Sequence, residues 1–467
     1  MENGRIILKA TLTNLSPLGI GSGQDDRSDR DVVTTEYSID ANGNILPPER
    51  FNESEDRRFL PFIPATSFMG KIYRQFEIND DSGIKSYWGE SEKNASFIDC
   101  SDLFLLELPD DNKQNATEIR DGIRIDSAKG TVAKGAKFDY EMLVPGAKFD
   151  LTMIFRVGGE IANYDLAIKL ASDIARVIEK GFDLGAKSTV GYGRMKGDEV
   201  KLYGINFDDP IQFKQWIEND LIKNPIKKTV DSLLLSDEQL FEINATFRIK
   251  NSLIIRSYSK DPQAPDSTHL KSGGKNILSG SSIKGALRGR AERILNTIQD
   301  DKGTTQTILS GLFGDVEKEN DGAVKPNGYT VPSRVFVDEV SIEEVKEEIQ
   351  TRIQIDRFTG GTVDGALIEE VPLFPKKDKE QIENFRIRVK KPHSADKGLM
   401  LLLLKDLWTE DLPVGGEKSI GRGILSGVSA TVNDGGETYK LIDDFKVPEK
   451  AKRLQTYVTA LNKLEDL

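Results

Sequence analysis

The chain repeats itself, and this internal duplication constrains its fold more than any other feature of the sequence. The clearest pair of segments contains Asp126 and Asp356, each followed by glycine at the fourth and ninth positions and then by a proline that closes a strand-like segment. A second pair is formed by two glycine-rich loops, in which Gly193 and Gly423 are 230 residues apart, as the two aspartates are. This constant spacing predicts two copies of one structural unit.

Two further pairs of segments occur in the same order in each half. Each half opens with a strand-like pattern, at residues 5–23 and 241–257, that runs into a loop rich in Asp and Ser. Each half then has a turn followed by a helix start, where Ser or Thr precedes an apolar periodic run. The N–H groups exposed at such a start suit a phosphate. We predict a first domain at 1–204, a linker at 205–238 and a second domain at 239–467.

Hydrophobic periodicity predicts an α+β fold with short alternating strands and few long helices. At 467 residues, the chain has the length of two or three domains. The apolar run Leu399–Leu404 predicts a buried strand. The predicted helices are Ser67–Glu77, Asp165–Lys180, Ser281–Ile298 and Ile342–Thr351.

Composition narrows the range of functions. The net charge of −12 argues against nonspecific nucleic-acid binding, which depends on neutralising phosphates, but leaves room for a local basic groove. The two histidines, His269 and His393, cannot build a His-rich metal site, so any catalysis is expected to rest on carboxylates. The single cysteine, Cys100, excludes internal disulfides and is typical of a reducing cytoplasm. No run approaches the roughly 18 apolar residues of a membrane span, and the start of the chain lacks a secretory pattern, so we expect a cytoplasmic protein without a membrane partner.

The repeated segments resemble the RAMP superfamily of CRISPR-associated proteins, specifically the backbone subunits of type III effector complexes. Residues 276–285, NILSGSSIKG, are similar to the family's PGSSLKG turn and helix start. Residues 354–367, QIDRFTGGTVDGAL, resemble its RIDRxTGxAxxGxLF thumb segment, and both glycine-rich loops resemble its GxGxxxGxG signature. A tandem pair of backbone subunits in one chain most resembles the subtype III-D fusion proteins.

The resemblance implies two ferredoxin-like (RRM-like) RAMP domains in tandem, each with a protruding β-hairpin thumb. It implies a subunit that binds guide CRISPR RNA and cleaves complementary single-stranded target RNA at regular intervals, as a metal-dependent endoribonuclease using Mg²⁺ or Mn²⁺. The implied protein partners are other RAMP-family subunits and the small subunits of a type III complex.

In catalytic members of the family, an Asp in the loop after the first strand cuts the target RNA. Asp266, fourteen residues before Gly280, matches that position in the second half. In the first half the first choice is Asp31, followed by Asp29 and Asp26. Asp266 and Asp31 are also the predicted metal ligands, because a carboxylate can bind Mg²⁺ or accept a proton. The alternative is that Asp266 starts a turn and that the first loop is merely a solvated acidic loop.

The remaining candidates are expected to hold RNA. The thumb would separate bases and stack an apolar tip on them, with Phe358, Val132 and Val363 as candidates. The glycine-rich loops would bring backbone N–H groups close to phosphates. In the first half Met69 stands where Lys284 stands in the second. The basic candidates are Lys71, Arg74, Lys187, Arg194, Lys284, Arg288, Arg290, Lys418 and Arg422.

Two other functions remain open at this point. The chain could be a non-catalytic guide-RNA scaffold, with cleavage carried out by neighbouring subunits. It could also be a guide-processing endoribonuclease, which shares the fold. Such enzymes usually rely on His or on a Lys/Tyr set, so the scarcity of His argues against a guide-processing function.

Overall fold

A computed structural model divides the chain into two compact units. The first unit comprises Met1–Gly122, Lys137–Ser188 and Tyr192–Ser236, and the second comprises Ile123–Ala136, Thr189–Gly191 and Asp237–Leu467. The described residues are 2–22, 28, 31–40, 44–46, 48, 56–76, 83–89, 94–113, 115–125, 131–159 (backbone alone at 134–136), 161–220, 224–230, 239–258, 263–299, 301–316, 328–442 and 452–463.

The first half of the chain is built around one antiparallel sheet. The strands of this half, of which β2–β4 and β7–β8 lie outside that sheet, are β1 (Gly4–Asn14), β2 (Thr34–Ile39), β3 (Ile45–Leu46), β4 (Asp56–Pro61), β5 (Ile98–Cys100), β6 (Leu105–Glu107), β7 (Thr117–Ile125), β8 (Val132–Leu143), β9 (Lys148–Val157), β10 (Phe182–Asp183), β11 (Arg194–Asn206) and β12 (Pro225–Ile226). Its helices are α1 (Ala65–Tyr73), α2 (Ile84–Trp88), α3 (Tyr164–Lys180) and α4 (Pro210–Ile217).

Strand β1 lies in the middle of this sheet, whose order is β10-β11-β1-β9-β5. The alternation along β1 buries Ile6, Leu8 and Leu12 in the same core as Ile174 and Ile178 of α3. Fully burying each such side chain contributes about 1.5–3 kcal/mol. Helix α3 begins where the Asn163 side chain accepts a hydrogen bond from the Leu166 N–H at 2.9 Å, an N-cap of the favoured type.

The second half of the chain is built around a sheet of its own. The strands of this half, five of which form that sheet, are β13 (Leu240–Ile249), β14 (Arg256–Ser257), β15 (Ser267–His269), β16 (Lys271–Ser272), β17 (Lys275–Leu278), β18 (Asp315–Val316), β19 (Thr330–Val331), β20 (Val335–Val337), β21 (Val340–Ser341), β22 (Val345–Glu347), β23 (Gln350–Arg352), β24 (Ile368–Val371), β25 (Leu373–Pro375), β26 (Ile382–Lys390), β27 (Leu425–Asp434) and β28 (Glu437–Ile442). Its helices are α5 (Gly280–Ile298), α6 (Lys302–Phe313), α7 (Ser394–Trp408) and α8 (Lys452–Lys463).

The core strands follow the same order in both halves. The second sheet runs β20-β26-β13-β27-β28. The orders β11-β1-β9-β5 and β27-β13-β26-β20 therefore match strand for strand, with all neighbours antiparallel. In each half a helix lies in the chain between two of these strands: α3 between β9 and β11, and α7 between β26 and β27. The duplication predicted from spacing is confirmed as a duplication of structure.

Two predicted elements are wrong. The run Leu399–Leu404 lies inside the helix α7, which is buried on nearly all sides. A helix that is apolar all round has no amphipathic period, so it cannot be told from a strand by pattern. Residues 342–351, predicted as a helix, instead contribute β22 and part of β23, which pair with β25 and β24. Tertiary pairing overrides the helix propensity of this Glu-rich segment.

The segment 205–238, predicted as a linker, contains ordered structure. Helix α4 begins after Asp209, whose side chain accepts a hydrogen bond from the Ile211 N–H at 2.9 Å. Strand β12 pairs with β11 at the edge of the first sheet. Among the described residues, no helix is both long enough and apolar enough to cross a membrane.

Candidate nucleic-acid interface

The two glycine-rich loops have the same backbone conformation. Each contains a 3₁₀ turn, at Ser188–Val190 and Lys418–Ile420, between positions of positive φ. Residues in this region of φ are strained unless they are glycine. The pairs at a spacing of 230 are Gly185 (77°) and Gly415 (84°), Lys187 (58°) and Glu417 (56°), Gly191 (89°) and Gly421 (84°), and Gly193 (74°) and Gly423 (77°).

At the last glycine of each loop the backbone passes so close to another backbone segment that there is no room for a side chain. A Cβ on Gly193 would lie 1.7 Å from the Leu184 oxygen, and a Cβ on Gly423 would lie 1.8 Å from the Val414 oxygen. Each of these glycines also donates its N–H to a carbonyl just after the first core strand, at 2.8 Å in both halves. The structural register therefore pairs Lys187 with Glu417, and not with Lys418 as the sequence pattern suggests.

In the second unit the glycine-rich loop joins a cluster of charged side chains, defined by Arg256, Arg352, Glu370, Glu417 and Arg422. Arg256 donates to Glu370 Oε1 from Nη2 at 2.7 Å and from Nε at 3.1 Å. Arg352 contacts both Glu370 and Glu417, the latter at 2.5 Å. Arg422 donates from Nε to Glu417 Oε2 at 2.6 Å. The charged cluster thus connects the loop after β13, the strands β23 and β24, and the glycine-rich loop.

Burial makes the charged cluster energetically consequential. Arg422, which pairs with Glu417, and Glu370, which pairs with Arg256 and Arg352, are both almost inaccessible to solvent. Removing one partner of a buried ion pair leaves a buried charge without compensation. Burial alone raises the pKa of Glu417, but hydrogen bonds such as the one from Arg352 outweigh it and lower this pKa to about 2. Arg422 was predicted to contact RNA. In the structure its guanidinium donates hydrogen bonds to Glu417, Ser252 and Gln350.

Asp266 lies beside the strand β24. Its Oδ2 accepts a hydrogen bond from the Glu369 N–H at 2.8 Å, and the side chain is exposed. The next residue, Ser267, is paired with Glu370 in a short parallel ladder between β15 and β24. Ser267 also donates its hydroxyl to Glu370 Oε1 at 3.2 Å. The structure therefore places an exposed carboxylate against one strand of a hairpin.

The matching place in the first unit is occupied by aromatic rings. The isolated bridges Leu18–Leu143 and Leu253–Leu373 are equivalent, so Tyr140 stands where Glu370 stands. The Lys187 ammonium lies 3.3 Å from the centre of the Tyr140 ring and 4.6 Å from that of Phe138. Cation–π contact therefore takes the place of the ion pairs of the second unit.

The first-half candidate Asp31 is only 5% exposed. Its Oδ1 accepts hydrogen bonds from the Ser28 N–H at 2.9 Å and the Ser28 hydroxyl at 3.0 Å. The Ser22 N–H bonds to the Asp31 carbonyl, as Ser257 pairs with Thr268 in the second unit. Asp31 therefore matches Thr268; by sequence count, Asp29 precedes Asp31 by two residues, as Asp266 precedes Thr268. Asp26 and Asp29 lie outside the described residues.

Each half contains a hairpin with exposed apolar side chains. The strands β7 and β8 form the first hairpin, and β23 and β24 form the base of the second. In the second, Asp356 Oδ1 accepts from the Thr359 N–H at 2.7 Å and the Phe358 N–H at 2.9 Å, and the first of these bonds lowers the pKa of Asp356. Phe358 at this tip is 99% exposed. The other exposed apolar residues are Ile119, Ile123, Ile125 and Val132 in the first hairpin, and Ile353, Ile355, Val363, Leu367 and Ile368 in the second.

The two predicted helix starts differ. In the second half the Ser279 side chain accepts from the Ser282 N–H at 3.4 Å, which confirms an N-cap at the start of α5. In the first half α1 begins after Pro64, and the carboxylate of Asp102 accepts from the Ala65 N–H at 2.8 Å. An acidic side chain thus already takes part of the anion position predicted for a phosphate in the first half.

The three basic candidates on α5 have hydrogen-bond partners within the protein. Lys284 is partly buried and donates to Ser333 Oγ at 2.8 Å and to the Val335 carbonyl at 3.0 Å. Arg288 donates to the Gly314 carbonyl at 2.9 Å, and Arg290 donates to Asp406 at 2.6 Å. Of the other basic candidates, Arg74 and Lys418 are exposed and Lys71, Lys187 and Arg194 are partly buried.

Lys284 predicts a measurable pH dependence. Burial, followed by the charge of Arg288, lowers its pKa from 10.5 to about 7. Between these values the unfolded chain binds more protons than the folded chain, so the free energy of unfolding rises with pH, by at most about 1.4 kcal/mol per unit. Between pH 7 and 10 the free energy of unfolding of the wild type, measured in urea, should rise relative to that of Lys284→Met. Arg290→Met is the control, because arginine does not titrate there and this arginine is paired with Asp406. A pH-independent difference for Lys284→Met would contradict the prediction.

The fit of the described residues to a divalent metal ion is limited. Nowhere in the described ranges do three His, Cys, Asp or Glu side chains come together as a metal-binding group. Asp266 offers an exposed carboxylate, whereas Asp31 is enclosed and bound to Ser28. Mg²⁺ usually keeps several waters and takes only one or two carboxylates beside substrate phosphates, so Asp266 suits a cation shared with RNA better than Asp31 does.

Sequence reasoning missed most of the charged cluster. No role was predicted for Arg256, Arg352, Glu370 or Glu417. Arg352 directly follows the predicted helix Ile342–Thr351, whereas in the structure it lies in strand β23. A usable signal existed in the spacing of 230, which aligns Glu417 with Lys187 and Glu370 with Tyr140. Unlike residues at repeated positions of one backbone mark a place where the two halves have diverged.

The repeated sheets and loops define a class of protein: a tandem duplication of one α+β domain with a glycine-rich loop and a hairpin in each copy. The sequence profile of the RAMP superfamily matches residues 11–196 and 246–426. Most of each half is therefore covered, and the chain belongs to the RAMP superfamily, as its motifs predicted.

One characterised relative adds detail. The chain is similar to the CRISPR system Cms endoribonuclease Csm3 of Methanocaldococcus jannaschii, with 28% identity over 163 residues. The match covers 30% of this chain and 64% of the length of that relative. It therefore supports the family assignment over part of the chain.

Proposed function

We propose that this chain is a guide-RNA-binding backbone subunit of a type III CRISPR effector complex that acts in the cytoplasm. Each half is then a ferredoxin-like domain whose hairpin serves as a thumb, in the tandem arrangement of subtype III-D. RAMP membership of both halves, the similarity to Csm3 and the equal order of the core strands support the proposal. The partners are guide CRISPR RNA, single-stranded target RNA, other RAMP subunits and small subunits.

The observation that carries the proposal is the tip of the second hairpin. Phe358 is 99% exposed there, although its apolar ring has a strong tendency to leave water. A ring held outward on a hairpin suits insertion beside an RNA base, where stacking is worth about 1–3 kcal/mol. Asp266 lies against a strand at the base of the same hairpin, so one hairpin carries the exposed ring and holds an exposed carboxylate.

Asp266 is the group we assign to cleavage of the target RNA. The RNA 2′-hydroxyl attacks the adjacent phosphorus and the carboxylate accepts the hydroxyl proton. The bond from phosphorus to the 5′-oxygen breaks, and the leaving oxygen takes a proton from water. The products are a 2′,3′-cyclic phosphate and a 5′-hydroxyl end. General-base catalysis of this kind contributes about 10²–10⁴-fold. Mg²⁺ or Mn²⁺ bound by Asp266 and RNA phosphate oxygens would supply additional stabilisation of negative charge.

The first domain has two candidate functions. By chain register Asp29 matches Asp266, so Asp29 is the residue assigned to a second cut. The enclosed carboxylate of Asp31 favours the alternative, a first domain that only holds the guide. Substitution Asp29→Asn in the assembled complex separates the two: loss of one cut assigns catalysis to the first domain, and unchanged cuts assign a scaffold.

The overall proposal is tested by reconstitution. The full chain, purified with its partner subunits, is expected to retain guide RNA and to yield regularly spaced fragments of a labelled complementary RNA, but none of a non-complementary one. Crosslinking should map the guide to peptides of the two glycine-rich loops. Cleavage of precursor RNA by the isolated chain would instead favour a guide-processing enzyme, and failure to retain any RNA would contradict the proposal.

The thumb assignment predicts a specific role for Phe358. Replacement Phe358→Ala should weaken target binding by the complex by about 1–2 kcal/mol, roughly five- to thirty-fold, because one stacking contact is lost. A fluorescent base analogue at the displaced position should report less unstacking. The control is Phe59→Ala, because Phe59 is 71% exposed but lies on β4 outside both hairpins. Equal effects of the two substitutions would remove the thumb role.

A further inference from the structure

We infer that Glu370 is a positioning residue that holds the Asp266 loop against the hairpin, an inference that rests on the proposed function. Within the described part of the chain, the Asp266 side chain has one hydrogen bond, from the Glu369 N–H. An exposed side chain with a single anchor takes its place from the backbone that carries it. The position of Asp266 therefore depends on how the loop after β14 is attached to β24.

Glu370 attaches both ends of that loop. Arg256, in β14 before the loop, donates two hydrogen bonds to Glu370 Oε1. Ser267, in β15 directly after Asp266, donates its hydroxyl to the same oxygen at 3.2 Å. Backbone pairing of Arg256 with His269 and of Ser257 with Thr268 closes the loop between these points. One carboxylate oxygen thus joins the two ends of the segment that presents Asp266.

The second oxygen of Glu370 fixes the carboxylate itself. Oε2 contacts Arg352, which also contacts Glu417 of the glycine-rich loop. Glu370 is 1% exposed and Ser267 is 2% exposed, so water cannot readily replace these partners. Hydrogen bonds to charged groups are worth about 1.5–3 kcal/mol each, and a rigid second set of contacts is what keeps a reacting group in place.

The first domain offers an internal comparison. Tyr140 stands at the position of Glu370 and packs on Lys187, so no carboxylate from this position holds the first loop. That loop is held instead through Glu141, which accepts from the Val32 N–H at 3.0 Å and from the Thr117 hydroxyl at 2.8 Å. Positioning through Glu370 is therefore a property of the second domain alone.

The test uses the assembled complex with guide RNA and a labelled target. Glu370→Gln should lower the rate of the Asp266-dependent cut by at least about tenfold. Small misplacements of a reacting group cost up to about 10²-fold in rate. The other cuts in the same target, the guide content and the target Kd should stay unchanged. The matched control is Glu369→Gln, which makes the same isosteric change one residue away and keeps the backbone N–H that holds Asp266.

A second pair of variants covers the case in which Glu370→Gln does not fold. Ser267→Ala should reproduce a smaller loss at the same cut, and Ser267→Thr, which keeps the hydroxyl, should restore it. Wild-type rates at the Asp266-dependent cut in both Glu370→Gln and Ser267→Ala would overturn the inference, as would equal loss of every cut or of the guide. If Asp266→Asn itself leaves all cuts intact, the proposed catalytic function fails and the inference falls with it.

Discussion

Asp266→Asn in the assembled complex is expected to abolish one of the regularly spaced cuts in the target RNA and to leave guide and target binding intact. The amide is nearly isosteric with the carboxylate and can still accept the hydrogen bond from the Glu369 N–H at 2.8 Å. It cannot accept the proton of the RNA 2′-hydroxyl. The rate at this cut should fall by about 100-fold or more, the range of a lost general base.

The measurement is a single-turnover time course resolved by fragment length. The control is Asp364→Asn, because Asp364 is also an exposed acidic residue close to the second hairpin tip. A fall in rate shared by Asp364→Asn would indicate a general electrostatic effect, and unchanged cutting by Asp266→Asn would leave the scaffold function. At saturating Mg²⁺ the loss should persist, since the missing proton acceptor is not replaced by more cation.

Gly423→Ala is expected to destabilise the second domain by about 3 kcal/mol or more, roughly 100-fold in the folding equilibrium. The new Cβ would lie 1.8 Å from the Val414 oxygen, and the residue has φ of 77°. Backbone atoms cannot yield as the end of a flexible side chain can. The loop must therefore move, which also disturbs Glu417 and the charged cluster.

Urea unfolding measures this effect through the shift of the transition midpoint. The control is Gly285→Ala in α5, where a Cβ meets no atom within 4 Å. Alanine there should be neutral or stabilising by about 0.5–1 kcal/mol, since alanine favours helix. Gly193→Ala should repeat the Gly423→Ala result in the first domain, because its Cβ would lie 1.7 Å from the Leu184 oxygen. A mild effect at both loop glycines would contradict the close approach.

Several elements could be predicted because their cause is local. Helices α3 and α5 follow from amphipathic periodicity and from caps at Asn163 and Ser279. The candidate Asp266 came from the resemblance of its loop to the catalytic loop of the family, and its role stays a prediction. The strand pairing of residues 342–351 could not be predicted, because its partners β24 and β25 lie later in the chain. The apolar run Leu399–Leu404 of α7 could not be recognised as helical for the converse reason, since it is buried and shows no alternation of polar and apolar faces.

The sequence by itself determined that one unit occurs twice, because equal spacing of Asp and Gly needs no knowledge of distant contacts. It also located the two glycine-rich loops, whereas the positive φ of Gly193 and Gly423 is established by the structure. Only the tertiary structure decided the chemistry around the loops. Glu370 and Glu417 meet three arginines, whereas the matching Tyr140 and Lys187 meet each other. Those differences arise from side chains far apart in sequence, so the burial and charge that govern each site exist only once the strands are paired.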